Sequence, residues 1–196
     1  MEKSFLQSLN LYRPKSALQI SASPELALVF VSLAPAIPGM ENKMPDKKSK
    51  KYLWEKKLTA SFNFDNALEV AAAAPALAQG REELVVDSNG NLPSWYRDPT
   101  KTGRGGAAKT IGFYRPKDQP KTPKVRYFLG ITENGKEKQG SKIGVSLEYP
   151  DLFKIACVME EAALAILGWR KDIEGRRDPN GHGRSLKSKP ATAEAF

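Results

Sequence analysis

Apolar and polar residues alternate with a period of two along the opening of the chain, which predicts strands rather than helices. Residues 9–12 form a short first strand. Residues 17–22 alternate cleanly, with Leu18, Ile20 and Ala22 on one face and Ala17, Gln19 and Ser21 on the other. After a turn at Ser23-Pro24-Glu25, residues 26–33 are a β-branched apolar run suited to a strand covered on both faces. A helix is the rival reading there, but Pro35 and Pro38 follow too soon. A lysine-rich loop over 38–51 leads into 52–64, one long strand with Tyr52, Trp54, Leu58, Ala60, Phe62 and Phe64 on one face and Lys56 interrupting. The period then changes to helical. Asp65 is placed to cap a helix starting at Asn66. Pro75 predicts a kink or an end, and Gly80 a stop.

The same order recurs downstream. Residues 84–92 carry a hairpin signal around Asn89-Gly90. The basic, aromatic and glycine-rich stretch 95–106 is expected to be mobile without a ligand. Residues 110–115, 124–132 and 142–147 are strands, with Val125, Tyr127, Leu129 and Ile131 inward on the second. A hairpin turn at Glu133-Asn134-Gly135-Lys136 joins the second to the third, on which Ile143, Val145 and Leu147 share a face. Asp151 then caps an amphipathic helix whose stripe runs through Leu152, Ile155, Ala156, Met159, Ala162, Ala163, Ile166 and Leu167. Gly168 ends it. From Trp169 on, the chain is polar, basic and expected to be disordered.

With Ser61 laid on Ser146, both halves read as a strand ending in Ser-apolar-polar-aromatic, a turn carrying an Asp, and an Ala-rich helix. Upstream of each copy sits Tyr-Arg-Pro-Lys, at 12–15 and at 114–117. Two words in the same order point to an internal duplication. The divisions are a first unit over 1–80, a linker over 81–108, a second unit over 109–168 and a basic tail over 169–196.

Charge adds a partner class. The 196 residues carry a formal net charge of +9 and 40% hydrophobic residues, a folded domain suited to a polyanion, although excess charge also aids solubility. One cysteine, Cys157, and one histidine, His182, exclude an intrachain disulfide and leave a Cys/His zinc site short of ligands. Cys157 reads as a buried helix residue. The longest apolar run, 26–37, is too short to span a bilayer. A soluble, cytoplasmic, nucleic-acid-associated protein with no membrane contact is expected. Gly103-Arg104-Gly105-Gly106-Ala107-Ala108-Lys109-Thr110 resembles a phosphate-binding loop, but Ala108 replaces its second glycine and no helix opens at Lys109-Thr110. No Ser/His/Asp set forms around a single loop histidine. The reading is of a non-enzyme with no cofactor and no metal.

What remains is basic residues interleaved with aromatic ones, the pairing that single-stranded nucleic acid requires: cations for the backbone and flat rings for unstacked bases. The candidates are Tyr12, Arg13, Lys15, Lys51, Trp54, Lys56, Trp95, Tyr96, Arg97, Arg104, Tyr114, Arg115, Lys117, Lys124, Arg126 and Lys142. Half-buried strands also show rings inward and charges outward, so core packing competes for every ring. Tyr52, Trp54 and Tyr127 share a face with aliphatic residues and lean to the core. Tyr12, Trp95, Tyr96 and Tyr114 border loops and lean to the ligand.

Two strand-rich halves, each closed by a helix, and the word Gly140-Ser141-Lys142-Ile143-Gly144-Val145-Ser146-Leu147-Glu148-Tyr149-Pro150-Asp151-Leu152-Phe153 resemble the Whirly-type fold. That group includes the plant Whirly proteins, the kinetoplast guide-RNA-binding proteins and a half-size transcriptional coactivator. The resemblance covers residues 5–80 and 109–168. It implies an internally duplicated α+β architecture of four antiparallel strands and a helix per unit. It also implies binding of single-stranded DNA or RNA across the sheets with little sequence preference, in replication, recombination or transcription, and no cofactor. A homo-oligomer is expected. The second half shows three clear strands unless 84–86 supplies a fourth. Two other readings compete: a nucleoprotein or virion component whose basic surface meets an acidic partner, and a duplex-DNA regulator, disfavoured because no groove-reading helix is evident.

Overall fold

In a computed structural model of the chain, the described residues are 8–23, 26–40, 51–97, 107–116, 127–134 and 141–168, together with the helical backbone of 169–177. β1 (Leu9–Tyr12), β2 (Ser16–Ser23), β3 (Leu28–Pro35) and β4 (Leu58–Phe62) form one antiparallel sheet in chain order, followed by α1 (Phe64–Ala78). β5 (Ser94–Arg97), β6 (Ala108–Tyr114), β7 (Tyr127–Asn134) and β8 (Lys142–Leu147) form the second sheet in the same way, followed by α2 (Tyr149–Arg177). The architecture is the duplicated α+β one. Register makes the repeat concrete: Ser61 faces Phe30 on β3, and Ser146 faces Phe128 on β7.

Several local expectations give way to packing. The fourth strand of the second sheet is β5, not 84–86, which lies in and beside a 3-10 turn at Glu82–Leu84. The expected hairpin over 84–92 is a tight turn over 87–91 with no flanking strands, closed by backbone bonds and by a side chain. The Asp87 carboxylate accepts from the amides of Asn89 and Asn91 at 2.8 and 2.9 Å, beside backbone bonds from the Asp87 amide to Asn91 and from the Gly90 amide to Asp87. Trp95, expected in a mobile stretch and leaning to the ligand, is 8% exposed on β5 and packs edge-on against Phe62 and Phe113.

The long strand expected over 52–64 is broken. Tyr52 makes one isolated bridge to Ala36, Trp54–Lys56 is a 3-10 turn, and β4 starts only at Leu58. The turn resets the alternation. Tyr52 joins a small cluster with Ala17, Ala34 and Ala36, separate from the main core that holds Leu58, Ala60 and Phe62. β3 is covered on both faces only toward its end, where Ser32 and Ala34 are buried as well as Val29, Val31 and Leu33; Phe30 stays half-exposed.

The helix starts differ from the sequence expectation by one capping step. Asn63, not Asp65, is the N-cap of α1, its side chain accepting from the Asn66 amide at 3.0 Å. Asp151 lies inside the first turn of α2 and reaches back to the Glu148 amide at 2.9 Å. Each helix thus uses one arm of the reciprocal capping arrangement. Pro75 does not end α1, because Leu77 beyond it is fully buried and anchors the last turn. Gly80 does stop it, at φ +72°, with the Gly80 and Arg81 amides bonded to Leu77 and Ala76. α2 continues through Gly168, which stays in the helical region, to Arg177. Cys157 is exposed rather than buried.

One core serves both halves, running from Leu11 and Leu18 to Met159 and Ile166. The two helices pack on each other, β8 lies against β2 and β3, and β4 lies against β6 and β7. Each sheet therefore turns one face to the shared core and the other away from it, the first sheet's outer face being covered at one end by Tyr52 over Ala17 and Ala34.

Candidate nucleic-acid interface

Strand parity defines the outward faces. In the first sheet, Leu9 and Leu11 of β1 pair with Ile20 and Leu18 on the core side, which turns Asn10, Tyr12, Gln19, Ser32, Phe30, Thr59 and Ser61 outward. In the second, Ile111, Leu129, Ile131 and Val145 face the core, which turns Ser94, Tyr96, Thr110, Gly112, Tyr114, Phe128, Gly130, Lys142 and Gly144 outward. Tyr12 and Tyr96 are more than half exposed, at 57% and 56%. They hold the same position in the repeat, the last outward residue of the first strand of each sheet.

The arginines after those tyrosines do structural work. Arg13 Nε donates to the Ser146 carbonyl at 3.2 Å, and its fork pairs with Asp151, which is buried at the start of α2. Arg97 Nε donates to the Ser61 carbonyl at 3.0 Å, and its fork bonds the Asn66 side chain at the start of α1. The contacts are reciprocal. Each half sends an arginine to the last strand and first helical turn of the other. Burial lowers the Arg97 pKa and the charge of Glu69 opposes this. Arg97 also lies 5.6 Å over the Phe62 ring. The repeat of Tyr12-Arg13 is therefore Tyr96-Arg97. Tyr114-Arg115, which the shared Tyr-Arg-Pro-Lys word suggested, closes the second strand of its sheet instead.

The floor of the second outer face is bare. Gly112, Gly130 and Gly144 pair in register across β6, β7 and β8. The Tyr114 ring lies across this gap: a Cβ built at Gly130 would come within 3.0 Å of it. The Lys142 ammonium sits 4.5 Å from the centre of the same ring, a cation–π contact at an exposed site. The matching positions of the first sheet hold Gln19, Ser32 and Thr59, and the last two are bonded through their hydroxyls at 2.8 Å. On the first sheet Tyr12 stacks on Tyr52 at 5.6 Å, and Lys51 lies 5.9 Å from the Tyr52 ring. Burial, with Tyr12 adding to it, raises the Tyr52 pKa.

Beside the second outer face runs the segment that joins α1 to β5. Arg115 holds it: Nε donates to Glu82 at 2.8 Å, and Nη1 donates to the Gly90 carbonyl at 3.2 Å. Tyr127 Oη donates to the other Glu82 oxygen at 2.5 Å. Burial pushes the Glu82 carboxyl up, but the hydrogen bonds from Arg115 and Tyr127 and the Arg115 charge outweigh it and hold the carboxyl below its ordinary value. The Tyr127 hydroxyl is driven upward, first by burial and then by its bond to Glu82. Between this segment and the sheet lies a groove of about 650 Å³ that includes Val86, Asn91, Pro93, Ser94 and Tyr114.

The candidates thus fall into separate groups. Tyr12, Tyr96, Tyr114 and Lys142 stand on outward faces, and Lys15 and Lys56 are exposed on connections. Trp54 is half-buried against the Tyr52 cluster. Trp95 belongs to the core, with its Nε1 bonded to Glu69. Arg13 and Arg97 join the halves, and Arg115 pins the 82–93 segment. Arg104, Lys117, Lys124 and Arg126 lie outside the described residues, as do Gly135 and Lys136 of the expected turn at 133–136, whose first two residues, Glu133 and Asn134, still belong to β7. Sequence reasoning passed over the glycine row and Phe128. Their signal was present, since glycines inside strands mark a close approach by another group. Among the described residues, no group of three His, Cys, Asp or Glu could hold a metal ion, and no helix is long and apolar enough to cross a membrane.

No family model and no curated protein matches the chain. Solved structures do. The plant transcriptional regulator PBF-2 is similar at 16% identity over 90% of this chain and 98% of its own, with a TM-score of 0.56. WHY3 from Arabidopsis thaliana is similar at 13% identity over 91% and 98%, with a TM-score of 0.54. WHY1 from the same plant is similar at 14% identity over 91% and 95%, with a TM-score of 0.55. At such identities the likeness is one of fold. With both four-stranded sheets, both helices and the joint between them accounted for, the chain has the Whirly-type fold.

Proposed function

We propose that the protein binds single-stranded DNA, and single-stranded RNA by the same chemistry, as a non-enzyme with little sequence preference. The observation that carries this reading is the half-buried Tyr114 ring beneath the Lys142 ammonium on a glycine floor, with the exposed rings of Tyr12 and Tyr96 on the same outward sheet faces. Rings of that kind stack on any base, and lysines meet the backbone without reading sequence. Tyr12, Tyr96 and Tyr114 supply the stacking surfaces, and Lys15, Lys56 and Lys142 the charge. The fold shared with a plant transcriptional regulator supports a role on nucleic acid, in transcription, replication or recombination. A homo-oligomer fits the helix surface, where Phe153, Leu164 and Leu167 of α2 and Leu68 of α1 are exposed; the chain's mass in solution checks that part.

Titration of tryptophan and tyrosine fluorescence with single-stranded DNA, single-stranded RNA and duplex at two salt concentrations tests the reading. Quenching by single strands, weaker with duplex and falling as salt rises, is the expected outcome. Tyr114→Ala should cost about 1–3 kcal/mol of affinity with the fold intact. Absence of binding to any single strand at low salt would refute the reading.

A further inference from the structure

We infer that the groove between the 85–93 segment and the outer face of the second sheet is a nucleobase subsite, the place where one unstacked base leaves the strand and enters the protein. The inference rests on the single-strand reading above and says where on the molecule a base is held. The groove, at about 650 Å³, lies within the roughly 300–1,000 Å³ span of small-ligand sites. Its chemistry suits a flat heterocycle. Val86 and Pro93 give an apolar wall, the half-buried Tyr114 ring gives an aromatic border beside the Lys142 charge, and the Asn91 amide gives a hydrogen-bonding edge. Asn91 Nδ2 already donates to Asp87 at 3.1 Å, which fixes the orientation of the amide before any ligand arrives.

The wall is held on the sheet by contacts that no ligand has to form. Asp87 gathers the Asn89 and Asn91 amides, Arg115 reaches the Gly90 carbonyl, and Glu82 joins Arg115 to Tyr127. A preformed site of this kind spares the ordering cost of binding. Gly112 keeps the floor flat, since a side chain there would strike Ser94 and the Pro93 carbonyl. Charge favours a nucleic-acid occupant over a neutral ring compound: Lys142 stands over Tyr114, and the whole chain carries +9. The first sheet is covered differently, by Tyr52 and Trp54 over Ala17 and Ala34, and it carries Gln19, a buried Ser32 and Thr59 where the second sheet has glycine.

The equivalent positions Ser94 and Asn10 give a matched test. Both are exposed on the first strand of their sheet. Ser94→Leu puts an apolar side chain at the groove without adding a ring or a charge, and Asn10→Leu does the same on the other sheet. For an oligothymidine at fixed salt, the Kd of Ser94→Leu should rise about 5-fold or more, and that of Asn10→Leu should stay within about 2-fold. In parallel, wild-type protein is photo-crosslinked to an oligothymidine carrying a single 5-iodouracil, and the crosslinked peptides are mapped; adducts within 85–94 or at Tyr114 are expected. This second measurement decides the matter if Ser94→Leu fails to fold. Tight wild-type binding with an unchanged Ser94→Leu, or with adducts confined to other segments, would overturn the subsite and leave the function standing. No binding by wild-type protein would overturn both.

Discussion

Across the outer face of the first sheet stand Asn10, Gln19, Ser32 and Thr59; across the second, the same four positions hold Ser94, Gly112, Gly130 and Gly144. The inner faces show no such divergence. Leu18, Val31 and Ala60 in one half answer Ile111, Leu129 and Val145 in the other as buried apolar residues. The inner faces share a core and constrain each other, because a well-packed interior penalises a change of even one methylene. The outer faces owe nothing to that core. One carries ordinary polar residues, and the other is a row of glycines with the Tyr114 ring close over Gly130.

The two arginine contacts differ in the same instructive way. Both bridge the halves with one geometry, but Arg13 meets a carboxylate and Arg97 meets an amide. Removing Arg13 leaves the Asp151 carboxylate, 4% exposed, without its counter-charge and with the Glu148 amide as its remaining bond. Arg13→Ala should therefore cost about 3 kcal/mol in urea unfolding. Arg97→Ala, which leaves a neutral amide behind, should cost about 1 kcal/mol. Equal losses would mean that the charge on Asp151 adds nothing to the joint.

A smaller effect separates the floors. Gln is native at position 19, yet Gly112→Gln at the equivalent place should cost about 2 kcal/mol, because its Cβ would sit 2.7 Å from the Ser94 Cβ and 3.0 Å from the Pro93 carbonyl. Gln19→Gly should cost about 0.5–1 kcal/mol, mainly through chain entropy. Thermal melts of the two variants compare them directly. If Gly112→Gln is tolerated, the glycine floor is not a steric requirement of the fold.

The smallest effect concerns acid. The Glu82 carboxyl is held below its ordinary 4.5. Its stabilising contribution is therefore complete above that value and is lost as pH falls through the lower folded value. Hydrogen exchange of the Gly90 and Asn91 amides, compared between wild type and Glu82→Gln, reads this. Wild type should lose protection of the segment on acidification, and Glu82→Gln should show the weakened state already at neutral pH. Identical profiles would remove Glu82 from the account of the wall.

Much of the fold was legible because its signals are local. Alternation marked β2, the core-facing residues of β7 and β8, and helical periodicity marked the α2 stripe. The Ser61 and Ser146 words located the repeat correctly. The candidate interface was legible only as residue types, rings and cations near one another in the sequence, and not as a set of surface positions. Trp95 reads as exposed next to a basic, glycine-rich stretch, and only packing against Phe62 and Phe113 takes it into the core.

What the sequence determined by itself was the composition of each unit: strands then a helix, twice, with a basic and aromatic surface. What only the tertiary structure decided was correspondence and partnership. Tyr12-Arg13 is followed by a short turn into β2, whereas Tyr96-Arg97 is separated from β6 by the longer stretch 98–107. The matching Tyr-Arg words therefore sat in dissimilar surroundings and the wrong pair looked alike. The partners of Arg13 lie at Ser146 and Asp151. Nothing local encodes such distant contacts. They exist because two sheets must bury their apolar faces on one another, and that burial fixes which polar groups meet at the seam.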